Sequence, residues 1–312
     1  MSTARTSLWV DCDPGVDDAL ALLYLAGHAD ADVVAISTVH GNVTAGLGAH
    51  NALRTWDVAG VAHVPVLVGV DHPLVYPTPT AEEVHGQDGL GDAGLGPAVG
   101  RPSPGCGPLR LIEWARAHPG QLCLLALGPL TNVAVALRLE PRLPTLIPRL
   151  VIMGGAVFSP GNTTAAAEFN IAHDPEAAQI VLSTPWDITL VGLDVTRRAL
   201  LAGSHLEHLQ AARDPRARFA CAILERYMAR YERRTGIRGA PLHDPLAAAI
   251  ALHPTLALYQ HRAVAVELNG TATRGATVPL DAAEGRATVK VAVDLEADRF
   301  LSEFVGRLGA AR

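Results

Sequence analysis

Short, continuously apolar runs recur along this chain, separated by stretches long enough to be helices. The runs are Leu8–Asp13, Val33–Val39, Val64–Gly69, Leu122–Leu127, Leu150–Gly154 and Ile188–Asp194, with two more near the end at Ala263–Leu268 and Thr288–Val293. A strand with one wet face alternates apolar and polar residues; one covered on both faces does not. Helical stretches lie between them: Asp17–His28, Ala45–Ala59, Pro108–His118, Thr131–Arg138, Pro175–Ser183, Phe219–Arg234 and Asp244–Leu252. The pattern predicts an α/β fold, an open, mostly parallel sheet with helices on both faces. No Pro/Gly/Ser linker divides the chain, so residues 1–312 read as a single domain. Right-handed crossovers place the functional loops at the carboxyl ends of the strands. Polar residues gather at those ends: Asp13 to Asp18, His40-Gly41-Asn42, Gly128 to Asn132 and Met153-Gly154-Gly155. The Pro/Gly-rich excursion from Asp71 to Pro108 is long enough to expect a role in function.

Composition removes several classes. The formal net charge of −6 disfavours nucleic acid or an anionic membrane as partner. Lys290 is the only lysine, which leaves neither a Walker-type phosphate loop nor an evident Schiff-base nucleophile. No apolar stretch is long enough to span a bilayer, and no secretory signal is evident. Cys12, Cys106, Cys123 and Cys221 form no paired motif, so they read as reduced thiols and the expected location is the cytoplasm.

The run Asp11-Cys12-Asp13-Pro14-Gly15-Val16-Asp17-Asp18-Ala19 carries four carboxylates in eight residues at a strand–turn–helix junction. Asp17 and Asp18 alone would suit a helix start. Asp11 and Asp13 lie on the strand side, where Asp is disfavoured, and such crowding calls for a cation or shared protons. Oxygen donors without His or Cys point to Ca²⁺ or Mg²⁺. Asn42 and the pair His243-Asp244 could meet this cluster. The segment Asn162 to Asn170, with Glu168, could hydrogen-bond a polyhydroxylated ligand. Gly89-Leu90-Gly91-Asp92-Ala93-Gly94 fits a dinucleotide fingerprint by letter but follows no strand, and is discounted. His205 and His208 lack a third metal ligand and read as an exposed helix face.

On these residues the chain resembles the inosine–uridine type nucleoside hydrolases, Ca²⁺-dependent N-ribohydrolases. The acidic run matches their N-terminal signature. Gly41-Asn42, His85-Gly86, Leu130-Thr131-Asn132, Met153-Gly154-Gly155, Glu168-Phe169-Asn170, Asp174-Pro175-Glu176 and His243-Asp244-Pro245 follow in order. The resemblance implies a Rossmann-like nucleoside hydrolase fold and hydrolysis of a ribonucleoside to free base and ribose, with inversion. It implies that Asp13, Asp18, Asp244 and the Leu127 carbonyl hold Ca²⁺, and that Asp13 takes a proton from the attacking water. Asp17 and Asn170 then contact ribose hydroxyls, with Asn42 beside the water. Asn162 and Glu168 hold the 5′-hydroxyl, and Met153 packs on the sugar. His243 is the general acid or hydrogen-bond donor to the departing base, and His85, Phe169, Tyr227 and Tyr231 line the base pocket. A homodimer or homotetramer is implied. Base preference stays open, with His243 and the tyrosines leaning toward a broad or inosine/uridine type. Two rivals stand beside this reading: a haloacid-dehalogenase-like phosphatase, suggested by Asp11-x-Asp13, and a ribose- or nucleoside-binding protein without turnover.

Overall fold

A computed structural model of the chain describes residues 5–61, 63–281 and 287–309. Its strands are β1 (Thr6–Cys12), β2 (Ala31–Thr38), β3 (Val66–Val68), β4 (Leu122–Ala126), β5 (Arg149–Met153), β6 (Ile188–Val191), β7 (Leu200–Leu201), β8 (Ala240–Pro241), β9 (Ala257–Val266), β10 (Thr277–Leu280) and β11 (Val289–Leu295). Nine of them form one sheet in the order β10-β9-β11-β6-β5-β4-β1-β2-β3, while β7 and β8 make a small antiparallel ribbon. From β3 to β6 and on to β11 every pairing is parallel; β9 runs antiparallel to both β11 and β10. The mostly parallel, doubly covered sheet expected from the apolar runs is therefore present.

Two apolar clusters sandwich the sheet. One joins the helices Val16–Ala26, Ala45–Ala59, Pro215–Thr235, His243–Leu252 and Ala297–Gly309 to one face, with Leu20, Leu23, Trp56, Ile223 and Phe304 in its interior. The other packs the helices Gly107–Ala117, Thr131–Leu139 and Pro175–Leu182 on the opposite face, around Trp9, Leu124, Val133 and Val181. Each strand end is thus clamped between two dry layers, which holds the loops at the carboxyl ends in place.

The strand order sets the site. Strands β1, β2 and β3 step one way across the sheet; the chain then returns to place β4 on the other side of β1. Ligand sites of open α/β sheets fall at such a reversal, outside the carboxyl ends of the two strands.

Some elements differ from expectation. The sixth strand stops at Val191, because Gly192 opens a helical turn over Leu193–Thr196 instead of extending to Asp194. The seventh apolar run, Ala263–Leu268, is the end of a longer strand, β9, whose Gln260-His261-Arg262 segment is exposed and masks the apolar signal. Strand β10 carries Pro279, which reads against a strand but is tolerated at a sheet edge. The helix Ala297–Gly309 buries Phe300, Leu301, Phe304, Val305 and Leu308 at helical spacing, a pattern present in the sequence but not used. His205 and His208 do lie on a helix, Gly203–Ala211, and the three-glycine segment Gly89–Gly94 contains turns rather than a strand-to-helix junction. No helix among the described residues is long and apolar enough to cross a membrane.

Candidate active site

Asp13 is the first residue past β1, fully buried at the sheet reversal. Its Oδ2 accepts the backbone N–H of Asn42 at 2.6 Å, and its own N–H donates to Asp18 Oδ1 at 3.1 Å. Space for its carboxyl exists because two neighbours are glycine: a Cβ at Gly41 would stand 2.0 Å from Oδ2, and one at Gly128 would stand 2.6 Å from Oδ1. Gly41 also has φ of +155°.

Asp17 and Asp18 sit in the first turn of the helix Val16–Ala26, where the free N–H groups and the dipole favour carboxylates. Asp18 Oδ2 accepts from Gly15 N–H at 3.0 Å and from Asn42 Nδ2 at 3.1 Å. Asn42 thus donates to both acids and fixes their relative position. Asp244 enters from the first turn of the helix His243–Leu252, which packs against Val16–Ala26 in the same core. One carboxylate oxygen from each of Asp17, Asp18 and Asp244 lies within 4.8 Å of the others, forming a buried group that could hold a metal ion. The tightest trio thus contains Asp17, which the sequence reading makes a sugar contact, with Asp13 bonded beside it.

The electrostatics fit a cation. Oδ1 of Asp13, of Asp17 and of Asp244 are buried with no hydrogen-bond partner among the described residues. Burial, reinforced by Asp18, pushes the Asp13 carboxyl far up; Asp244 is raised by burial and then by Asp17 and Asp18. Asp17 is pushed up to about 8 by burial and by Asp18, and Asp18 is raised by burial. Four desolvated carboxylates cannot all ionise without compensating positive charge, and open oxygens are what a hard divalent ion uses. Asp11, the first acid of the run, points elsewhere: Ser37 Oγ and Asn132 Nδ2 donate to its Oδ1.

Above this floor opens a cavity of about 820 Å³. Asp17, Asn42, His85, Leu127, Met153, Asn162, Glu168, Phe169, Asn170, Tyr227, Tyr231, His243 and Asp244 all line it, while Asp13 and Asp18 lie wholly buried and are not part of its lining. Every expected site residue is therefore brought to one place. Asn170 Nδ2 donates to the Leu127 carbonyl at 2.6 Å and the Met153 carbonyl at 3.1 Å, tying the rims of β4 and β5 together. Glu168 caps the short helix Phe169–His173, accepting from Asn170 N–H at 2.9 Å and Ile171 N–H at 3.1 Å, and takes Gly155 N–H at 2.9 Å as well. Burial still raises its carboxyl to about 6. Asn162 Oδ1 accepts from Phe169 N–H at 2.9 Å, closing the loop that follows β5.

Of the three imidazoles that line the cavity, His243 and His85 are the expected ones. His243 Nδ1 lies 2.8 Å from Thr196 Oγ1, and burial followed by the Arg197 charge lowers its pKa to about 4. His85 Nδ1 accepts the Val16 N–H at 3.0 Å, so in the neutral ring the proton is on Nε2; burial, then His243, lowers its pKa to about 3. Its ring is tilted against Tyr227 at 5.8 Å. The excursion after β3 supplies His85 together with Pro79, Thr80, Ala81, Glu83 and Val84, and Arg230 Nη2 ties it to the tyrosine helix through Glu83 at 2.8 Å. Thr196, Arg197, Arg230 and His173 were not anticipated. Thr196 and Arg197 could have been, because they follow a strand at its carboxyl end. Lys290, the lysine a phosphatase of that type would need to hold its phosphate, lies on β11 with its Nζ 2.7 Å from Asp187 and does not line the cavity.

Comparisons with known proteins agree with this geometry. The family model described as inosine-uridine preferring nucleoside hydrolase matches residues 8–302. The chain is 35% identical to a probable uridine nucleosidase 2 of Arabidopsis thaliana, over 97% of this chain and 98% of that one. It is 38% identical to an inosine-uridine preferring nucleoside hydrolase of Crithidia fasciculata, covering 86% of each. The solved structure of a plant nucleoside hydrolase superposes with a TM-score of 0.94 at 32% identity, covering 98% of this chain and all of that one, 100%. By the family match and these likenesses, the chain belongs to the inosine-uridine preferring nucleoside hydrolase family and is a ribonucleoside hydrolase.

Proposed function

We propose that the protein hydrolyses the N-glycosidic bond of inosine- and uridine-type ribonucleosides in a Ca²⁺-dependent reaction. The observation that carries this reading is the set of open, buried carboxylate oxygens of Asp13, Asp17 and Asp244 at the base of a cavity walled by hydrogen-bonding and aromatic side chains. Asp13, Asp18, Asp244 and the Leu127 carbonyl would hold the ion, with Asp17 close enough to share in it. When bound, the ion supplies positive charge that offsets the acids, acidifies water and binds ribose hydroxyls.

The remaining steps belong to the protein. Asp13 orients a water beneath the anomeric carbon and accepts its proton as the C–O bond forms and the C–N bond breaks. The face opposite the base is attacked, so the anomeric centre inverts. Asp17 and Asn170 position the ribose hydroxyls, Asn42 holds Asp13 and Asp18 in register, and Met153 covers the ring. The buried acids favour the positive charge that builds on the sugar. His243, neutral in the free enzyme, offers an N–H to the leaving base when Thr196 donates to its Nδ1. His85, Phe169, Tyr227 and Tyr231 enclose that base.

Release of free base and ribose from inosine, uridine, adenosine and cytidine tests the reading; binding without base release would overturn it in favour of a carrier. In the same assay His243→Ala is expected to slow inosine by about 10²-fold, the lower range for a positioned proton donor. A riboside with a chemically good leaving group should be nearly unaffected, and equal losses would remove His243 from that role. Glu168→Gln keeps one of the two acceptor oxygens that hold the helix cap, whereas Glu168→Ala would delete both. It is expected to slow a parent ribonucleoside about tenfold, one hydrogen bond to a charged group, and its 5′-deoxy analogue much less. An unchanged ratio argues that Glu168 serves only as a cap.

A further inference from the structure

We propose that His173 is a positioning residue: as an imidazolium it ties the excursion wall of the cavity to the wall that carries Phe169, and so tightens the hold on the nucleobase. His173 ends the short helix Phe169–His173, is 6% exposed and lines the cavity. Its effect on substrate rests on the ribonucleoside reading of the site; the tie itself does not.

Both ring nitrogens point at carbonyl oxygens. Nδ1 lies 2.8 Å from the Phe169 carbonyl, one turn back in its own helix, and Nε2 lies 3.1 Å from the Pro79 carbonyl, 94 positions away. A backbone carbonyl can only accept. A neutral imidazole has one N–H and one lone pair, so it satisfies one of these contacts and turns a lone pair on the other; the cation donates to both. A change of tautomer only moves the conflict, because the two partners are alike. One proton therefore decides whether Pro79 and Phe169 are held by the same ring.

Both walls bear on the substrate. From the excursion, Pro79, Thr80, Ala81, Val84 and His85 line the cavity, and the Ala81 N–H donates to the Asn42 carbonyl at 3.0 Å. This stretch is thus anchored beside the acidic floor at Ala81, and His173 supplies the second anchor at Pro79. The His173 ring lies against that of Phe169 with centroids 3.7 Å apart, and an aromatic neighbour favours its charged form.

The charges around the ring leave it as the group that switches. His40, at the end of β2, is lowered to about 4 by burial and then by His173, so it stays neutral above that pH; Asp71 and His72 also act on it. Asp174, next in the chain, has its carboxylate engaged by Thr131 Oγ1 and by the N–H groups of Leu74 and Ala177. On the excursion Glu82 and Glu83 are exposed, and Glu83 pairs with Arg230. Glu168, at about 6, caps the other end of the helix and titrates in a neighbouring range, so the test compares variants at position 173. Burial holds the His173 pKa below the usual histidine value against the pull of the two carbonyls, so the tie forms as pH falls below about 6.5.

Hydrogen exchange of the full-length protein in excess Ca²⁺, corrected for the pH dependence of free amides, tests the tie without substrate. The Thr80 and Ala81 amides should be about tenfold better protected near pH 5 than near pH 7.5, the worth of one hydrogen bond from a charged donor. His173→Phe keeps a ring against Phe169 and should lose this response. His173→Gln, whose amide N–H can reach Pro79 at any pH, should keep the protection at both. An equal pH response in wild type and His173→Phe would overturn the proposal, as would nitrogen NMR showing the wild-type ring with a single N–H near pH 5. In base release, the KM for inosine of His173→Phe relative to wild type should rise as pH falls, with the kcat ratio constant. A KM ratio indifferent to pH would overturn the link to substrate; were no base released at all, the exchange result would still decide the tie.

Discussion

Asp13→Asn is expected to lower kcat by about 10⁴-fold, the upper end of what a positioned general base supplies, while the protein stays folded. The amide keeps the size of the carboxyl, and its oxygen still accepts the Asn42 N–H that holds Asp13 Oδ2 now. What disappears is the proton acceptor and one charge of the floor, whose Oδ1 has no other partner among the described residues. Removing a desolvated carboxyl whose ionised form repels Asp18 does not destabilise the metal-free fold, so its Tm should hold or rise. Steady-state base release on inosine, with thermal melting alongside, separates the two effects. A loss smaller than tenfold would show that another group takes the proton.

Removal of divalent ions is expected to cost at least about 10³-fold in activity, recovered by Ca²⁺, because positioning and proton abstraction both depend on the floor being neutralised. The same ion should also change stability in a pH-dependent way. Asp17, at about 8 in the folded chain against about 3.9 when unfolded, keeps its proton over a range where the unfolded chain has lost it. The folded state therefore binds more protons, and metal-free stability falls as pH rises from about 4 to about 8. Asp13, Asp18 and Asp244 shift the same way, which strengthens the slope. A bound cation must displace these protons, so the gain in Tm on adding Ca²⁺ should be larger near pH 8 than near pH 5. Calorimetry of chelated and Ca²⁺-loaded protein at the two pH values measures this; a gain independent of pH would mean that the acids are not the ligands.

Much of this was legible because its causes are local. Doubly covered strands show as continuous apolar runs, and seven of the eight anticipated strands carry the parallel part of the sheet. Asp13, Asp17 and Asp18 stand out because their density has no structural use large enough to justify the repulsion. Strand β10 was hidden by Pro279 at the sheet edge, and the first half of β9 by its exposed polar stretch, since strand residues that lack burial make no apolar signal. Thr196 and Arg197 carry only the faint signal of their place after a strand, since one hydroxyl and one guanidinium in a short turn make no motif.

The order of residues by itself determined the sheet class, the acidic run at the first strand–helix junction and the polar sets after the other strands. Those follow from burial, dipoles and turn geometry, which act over a few residues. Only the tertiary structure decided which oxygens are left open, that Asp17 and Asp18 both stand within 4.8 Å of Asp244, and that burial holds His243 neutral. It alone brought His28 within 3.2 Å of His253, 225 positions away. Such meetings depend on how helices pack over a twisted sheet, and burial sets the charge of each group only once its neighbours, near or far in the chain, are in place.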